Sequence, residues 1–185
     1  MKPAIFLVRH GRSVADGGFL GRSDPSLSDE GRSEARGLTS RLAAQRVDLI
    51  LTSPLLRALE TAEVVARSLR LAPIADDRLA EISYGDWDGL RWAEIEQLDP
   101  VLARRKLDDW WGVTPPGGEP ATDFLARLES FWSDLKTRSE PRIAVVAHLG
   151  VISLLAEIAR NPSGPPDWKR ASAFELEHTG WIEVG

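Results

Sequence analysis

At 185 residues the chain fits one domain with a two- or three-layer core, and no second domain is expected. It contains no cysteine, which excludes a disulfide framework, a thiolate zinc site and every hydrolase built on a cysteine nucleophile. Its net charge of -5, with both signs interspersed, argues against a nucleic-acid scaffold or a basic membrane-binding face, so neither is an expected partner.

Ala4-Ile5-Phe6-Leu7-Val8 is an apolar run too short for a signal-peptide core or a membrane span, and a soluble cytoplasmic protein is expected. The run predicts a strand buried on both faces inside a parallel sheet. It ends abruptly in Arg9-His10-Gly11, which puts a cation and an imidazole at the carboxyl edge of the strand, where open α/β sheets hold their ligands. A polar loop follows from Arg12 to Pro25. Ser28 is a predicted N-cap with Asp29 and Glu30 in the first turn, and Ala35, Leu38 and Leu42 give that helix one apolar stripe. Asp48 to Thr52 predicts the second strand, and Ser53-Pro54 suits the start of the next helix. That helix turns Leu55, Leu59, Ala62, Val65, Ala66 and Leu69 inward and carries Arg57 in its first turn. A short strand around Ile74 leads to Leu79-Ala80-Glu81-Ile82. From Ser83 to Pro120 the pattern is irregular, with two short helices and the turn Pro115-Pro116-Gly117-Gly118. Trp87, Trp92, Trp110 and Trp111 fall in this section, out of seven tryptophans in all. Alternation resumes with a helix from about Ala121 to Thr137 and a buried strand, Arg142 to Ala147. His148-Leu149-Gly150 ends that strand, and a helix carrying Ile152, Leu155, Ala156 and Ile158 follows. The tail predicts a hairpin of Ala173–Glu177 and Trp181–Val184, turned at His178-Thr179-Gly180, with His178 solvated at the surface. The fold class is therefore α/β, a three-layer α/β/α sandwich around a mostly parallel sheet.

Three strand-to-helix junctions carry groups of one chemical type: Arg9 and His10, Arg57, and His148. In a parallel sheet, right-handed crossovers bring such junctions to one edge. Two arginines and two imidazoles around one point make a pocket for a dianion. Each guanidinium can fork two N–H donors onto phosphate oxygens, and such charge-assisted bonds contribute roughly 1.5 to 3 kcal/mol each.

In chain order, Arg9-His10-Gly11, Ser53-Pro54-Leu55-Leu56-Arg57-Ala58 with Thr61-Ala62, Glu81 with Gly85-Asp86-Trp87-Asp88-Gly89, and His148-Leu149-Gly150-Val151 resemble the signature of the histidine phosphatase superfamily, the phosphoglycerate-mutase-like proteins. Gly21 and Asp24 through Leu27-Ser28 resemble that family's loop before the first helix, and Pro116-Gly117-Gly118-Glu119 resembles a turn of its small phosphatase members. The resemblance implies that His10 attacks phosphorus and carries the phosphoryl group as phosphohistidine. It makes Arg9, Arg57 and His148 the clamp on the phosphate and Glu81 the proton donor to the leaving oxygen. Ser13, Asp16, Gly21, Arg22 and Leu149 are the further residues expected to border phosphate or substrate. A single domain over residues 1–185 is implied, with residues 83–120 as a cover over the pocket. The implied substrate is a small-molecule phosphate ester and the implied product inorganic phosphate, with no metal or other cofactor. This chemistry suits the residues: a neutral imidazole has a free lone pair and needs only its other nitrogen fixed, for which a backbone carbonyl is expected. A carboxyl under apolar cover has its pKa raised, as a proton donor requires.

The chain departs from the family pattern after Arg-His-Gly. Where many members have an acidic residue, a threonine and an asparagine, this sequence has Arg12, Ser13 and Asp16. A carboxylate at Asp16 would repel a bound dianion unless Arg12 or Arg22 pairs with it. The loop from Gly11 to Gly21 is short and lacks the arginine many members place there, which favours a phosphatase over a mutase-type isomerase. A catalytically silent phosphate-binding module of the same fold is the other alternative. Plainer readings stand beside these: Glu81 as a surface carboxylate, Arg57 paired with Glu60 or Glu63, and the tryptophans either as packing or as substrate contacts.

Overall fold

The computed structural model describes residues 3–15 and 17–185. The first apolar run forms β1 (Ala4–Arg9). Ser28 caps α1 (Asp29–Ala44), its hydroxyl accepting the Gly31 N–H, as its position before two acidic residues predicts. β2 (Leu49–Thr52) leads to α2 (Leu56–Leu69), whose N-cap is Leu55, so Pro54 lies just outside the helix it was expected to begin. A short β3 (Ile74–Ala75) precedes the irregular section, which holds α3 (Trp92–Leu98) and α4 (Pro100–Asp108). Then come α5 (Ala121–Leu135), β4 (Arg142–Ala147), α6 (Leu149–Arg160), α7 (Trp168–Ser172) and β5 (Trp181–Val184).

The strands form one sheet in the order β3-β2-β4-β1-β5, parallel throughout except for β5, which runs antiparallel to β1. Because successive side chains of a strand point to opposite faces, the two apolar layers can be read residue by residue. Phe6, Val8, Ile50, Ala144 and Val146 pack with α1 and α2 through Leu38, Leu42, Ala58, Ala62 and Val65. Ile5, Leu7, Leu49, Leu51, Ile143 and Val145 face α5 and α6 through Phe124, Leu128, Phe131, Ile152 and Leu155. The result is the expected α/β/α sandwich. A small third cluster, Trp87, Ile95 and Ala103 with Phe19, Tyr84 and Trp92, gives the irregular section its own packing. Among the described residues no helix is long and apolar enough to cross a membrane.

The predicted hairpin at the tail does not form. Residues 173–177 are not a strand, and Trp181–Val184 pairs instead with β1, in register Val8↔Trp181 to Ile5↔Val184. An isolated two-stranded ribbon is marginal in water. On the edge of β1 the same strand places Trp181 edge-on against Phe6, with ring centroids 5.2 Å apart, and turns Ile182 and Val184 against the core.

Candidate active site

Parallel pairing brings three carboxyl ends together. Arg9 stands opposite Ala147 and Thr52 opposite Val146, so His10, His148 and Ser53 all emerge at one edge of the sheet. Backbone bonds hold that edge: His10 N–H donates to Ala147 O at 3.0 Å, and Ser53 N–H to Val146 O at 2.9 Å. The imidazoles of His10 and His148 lie 5.0 Å apart, centroid to centroid. A cavity of about 240 Å³ opens beside them, lined by Arg9, His10, Arg57, Glu81 and His148, and by Ser13 and Leu149 from the predicted binding set.

His10 Nδ1 sits 2.7 Å from Gly11 O, the backbone carbonyl expected to fix one ring nitrogen, which leaves Nε2 with the free lone pair. Burial drives the imidazole pKa down to about 3, and Arg57 and Arg9 push in the same direction, so the ring is neutral at physiological pH. Gly11 N–H donates to Thr61 Oγ1, whose own hydroxyl donates to Arg57 O, so the first two turns of α2 brace the loop behind His10. His148 Nε2 lies 2.8 Å from Ser53 Oγ, which also accepts the Leu55 N–H. Burial, then the neighbouring His10 and Arg57, keep His148 neutral as well. Glu81 is buried, which removes the reading of a surface carboxylate. Its Oε1 accepts the Ile82 N–H and its Oε2 the Gly150 N–H in the first turn of α6. Burial raises its pKa despite those two donors.

Arg57 is almost fully buried and pairs with neither Glu60 nor Glu63; its Nη groups donate to the carbonyls of Leu20, Gly21 and Ser23. That loop is held from behind by Asp88, whose carboxylate accepts the N–H groups of Gly21, Arg22 and Ser23. Three buried nitrogens on cavity-lining residues have no partner among the described residues: Arg9 Nε, Arg57 Nε and His148 Nδ1.

Other predicted site residues fall elsewhere. Gly21 and Arg22 do not line the cavity. Gly21 lies behind Arg57, where a Cβ would stand 2.4 Å from Ile82 O, and Arg22 pairs with Glu119 at 3.6 Å. Asp16 lies outside the described residues; Arg12, one of its two expected partners, pairs with Glu34 at 3.1 Å. None of the four tryptophans lines the cavity. Trp92 and Trp110 surround Phe19, and Trp111 stacks on Phe124. The aromatic wall is instead Phe19 with Tyr84.

His178 is a correction. It was expected at the surface of a hairpin, yet it lines the cavity with its ring centroid 5.6 Å from that of His10. Thr179 N–H donates to Arg9 O at 3.1 Å and Arg9 N–H to Gly180 O at 3.0 Å, so the segment before β5 is stitched to the end of β1. Nothing local in the tail signals this. The only clue was that a third histidine existed.

Fold and pocket together define the class: the chain belongs to the histidine phosphatase superfamily, branch 1, whose sequence model it matches over residues 5–182. Among individual relatives it is similar to phosphoserine phosphatase 1 of Hydrogenobacter thermophilus, with 32% identity over 147 residues, 78% of this chain and 70% of that protein. It is 35% identical over 159 residues to a bifunctional protein of Mycobacterium tuberculosis, covering 84% of this chain but 43% of the relative, so it spans less than half of that protein's length. The crystal structure of the alpha-ribazole phosphatase from Shigella flexneri matches with a TM-score of 0.87 at 30% identity, over 98% of this chain and 90% of that one.

Proposed function

We propose that the chain is a phosphomonoester hydrolase that works through phosphohistidine at His10, without a metal ion or other cofactor, on a small-molecule phosphate ester. The observation that carries the reading is the set of buried nitrogens without a partner among the described residues, Arg9 Nε, Arg57 Nε and His148 Nδ1, on residues lining the same cavity as the neutral His10. Buried polar groups of folded proteins are rarely left unpaired, and a bound phosphate would accept from the two guanidinium N–H groups and from a protonated His148 Nδ1; the other unpaired buried atoms, the indole N–H groups of Trp111, Trp132 and Trp181, lie on residues away from the cavity. In the first step His10 Nε2 bonds to phosphorus while the ester P–O bond breaks, and the departing oxygen takes the proton of Glu81. In the second, Glu81 takes a proton from water as that water attacks phosphorus. The P–N bond then breaks, inorganic phosphate forms, and His10 returns to its neutral state. The clamp spreads the charge of a loose transition state.

The cavity lining is of two kinds, apolar and aromatic from Phe19, Leu20 and Tyr84, and polar from Arg12, Ser13 and His178. They suit a substrate with a ring or apolar portion beyond its phosphate, with residues 83–120 serving as the cover. His10→Ala is expected to abolish turnover and the acid-labile phosphoenzyme seen in rapid quench. Glu81→Gln is expected to slow the single-turnover transfer of phosphate from alkyl esters to His10 by about a hundred- to ten-thousandfold, while the same step from an aryl phosphate, whose leaving group needs no proton, is nearly spared; the second step, common to both esters, slows alike. Interconversion of two phosphate esters with little release of inorganic phosphate would favour a mutase instead, and full activity in His10→Ala would end the proposal.

A further inference from the structure

The carboxyl group of Glu81 is aimed by two backbone amides, but its own backbone is irregular, lying past a short 3-10 turn, Asp77–Leu79, and outside any strand. Something else must fix that backbone. Arg127 on α5 reaches it from the side. One Nη donates to Glu81 O at 3.2 Å and the other to Arg78 O, so the single guanidinium spans both ends of the segment. The same group forks onto Glu119, Nε to Oε1 at 2.7 Å and Nη2 to Oε2 at 3.0 Å. Glu119 in turn holds Ser83 on both sides: its carboxylate accepts the Ser83 N–H at 3.2 Å and its own N–H donates to Ser83 O at 2.9 Å. The ion pair is largely shielded, with 16% and 15% of the two side chains exposed, and the guanidinium lies 4.5 Å from the Phe124 ring centroid. A planar fork engaged on so many sides is a geometry lysine does not reproduce.

We propose that Arg127 and Glu119 are positioning residues for the reaction, a clamp on residues 78–83 that sets where the Glu81 carboxyl group points. The inference rests on the reading of Glu81 as the proton donor. Neither side chain lines the cavity, so both act through Glu81. The clamp also reaches the phosphate side: Arg22 pairs with Glu119 at 3.6 Å, and it belongs to the loop whose carbonyls hold Arg57.

The test compares Arg127→Lys, Glu119→Gln and Glu81→Gln on one alkyl and one aryl phosphate, with thermal melts to confirm that each variant is folded. The two clamp variants are expected to lose about ten- to a hundredfold in the single-turnover rate of alcohol release from the alkyl ester, the cost of a donor displaced by about an ångström. Single-turnover release of the phenol from the aryl ester should stay within about threefold, because proton donation matters little in that step. A purely structural role would lower both substrates alike. Equal losses on the two esters, or no loss on either, with Glu81→Gln still selective for the alkyl ester, would overturn the clamp. Absence of that selectivity in Glu81→Gln would overturn the donor assignment itself, and the clamp with it.

Discussion

Gly150 shows how narrowly one residue can define the site. A Cβ built there would lie 2.6 Å from Glu81 Oε1, a distance real contacts do not tolerate, so the carboxyl group and the first turn of α6 fit together only because position 150 has no side chain. In an ordinary helix, alanine for glycine stabilises by about 1 kcal/mol. Here Gly150→Ala is expected to leave the melting temperature unimproved and to reduce kcat on alkyl phosphates by about tenfold or more as Glu81 is displaced. A variant that melts higher at undiminished rate would show that the carboxyl group moves freely. At this scale His10 and His148 were legible because each ends a run of buried apolar residues, where a polar side chain demands a reason. His178 and Phe19 were not. One follows an unremarkable tail and the other sits in a glycine-rich loop, and both reach the cavity through contacts between parts of the chain far apart in sequence.

Among the elements, the loop of residues 20–23 acts as a mount for Arg57. Its carbonyls take the guanidinium from one side, and the Asp88 carboxylate takes its N–H groups from the other. Removing Asp88 leaves three donors to find new partners, at a cost of about 1–3 kcal/mol. Asp88→Ala is therefore expected to lower the melting temperature by several degrees and to raise KM for phosphate esters by about tenfold, measured by steady-state kinetics with inorganic phosphate as competitor. An unchanged KM would detach the loop from phosphate recognition. The strands β1 and β4 and the helices packed on them were legible in outline, since unbroken apolar runs and three-and-four spacing leave few choices. The section from Ser83 to Pro120 was not, because its order comes from side chains meeting across loops, as when Phe19 packs among Tyr84, Trp92 and Trp110. The tail misled for a related reason: its alternation was that of a strand, but alternation does not say which edge the strand will join.

For the whole molecule, the two buried imidazoles tie stability to acidity. An unfolded histidine takes up a proton below about pH 6.5, whereas His10 in the fold does so only near 3 and His148 also well below the usual range. Between those limits the unfolded chain binds more protons, so stability falls as pH falls. His10 alone accounts for ~2 kcal/mol at pH 5. Glu81 has the opposite sign, since its raised pKa favours the fold below the ordinary carboxylate range and is a penalty above it. Between about pH 6.5 and 5 two imidazoles act against this one carboxyl group, so the net change is a loss of stability. Melts at pH 7 and pH 5 are expected to show a drop of several degrees that shrinks in His10→Asn; an identical drop in both would place the acid sensitivity elsewhere. The arrangement of the sheet bears on biosynthesis as well. Both neighbours of β1, β4 and β5, come from the last third of the chain. The strand that ends at His10 thus leaves the ribosome long before either flank exists, and its unpaired apolar backbone must wait until residues 142–184 have been made. Such long-range closure slows folding, so the hollow beside His10 takes shape only after β4 and β5 have joined β1, and a fragment lacking them cannot hold His10 as the full sheet does.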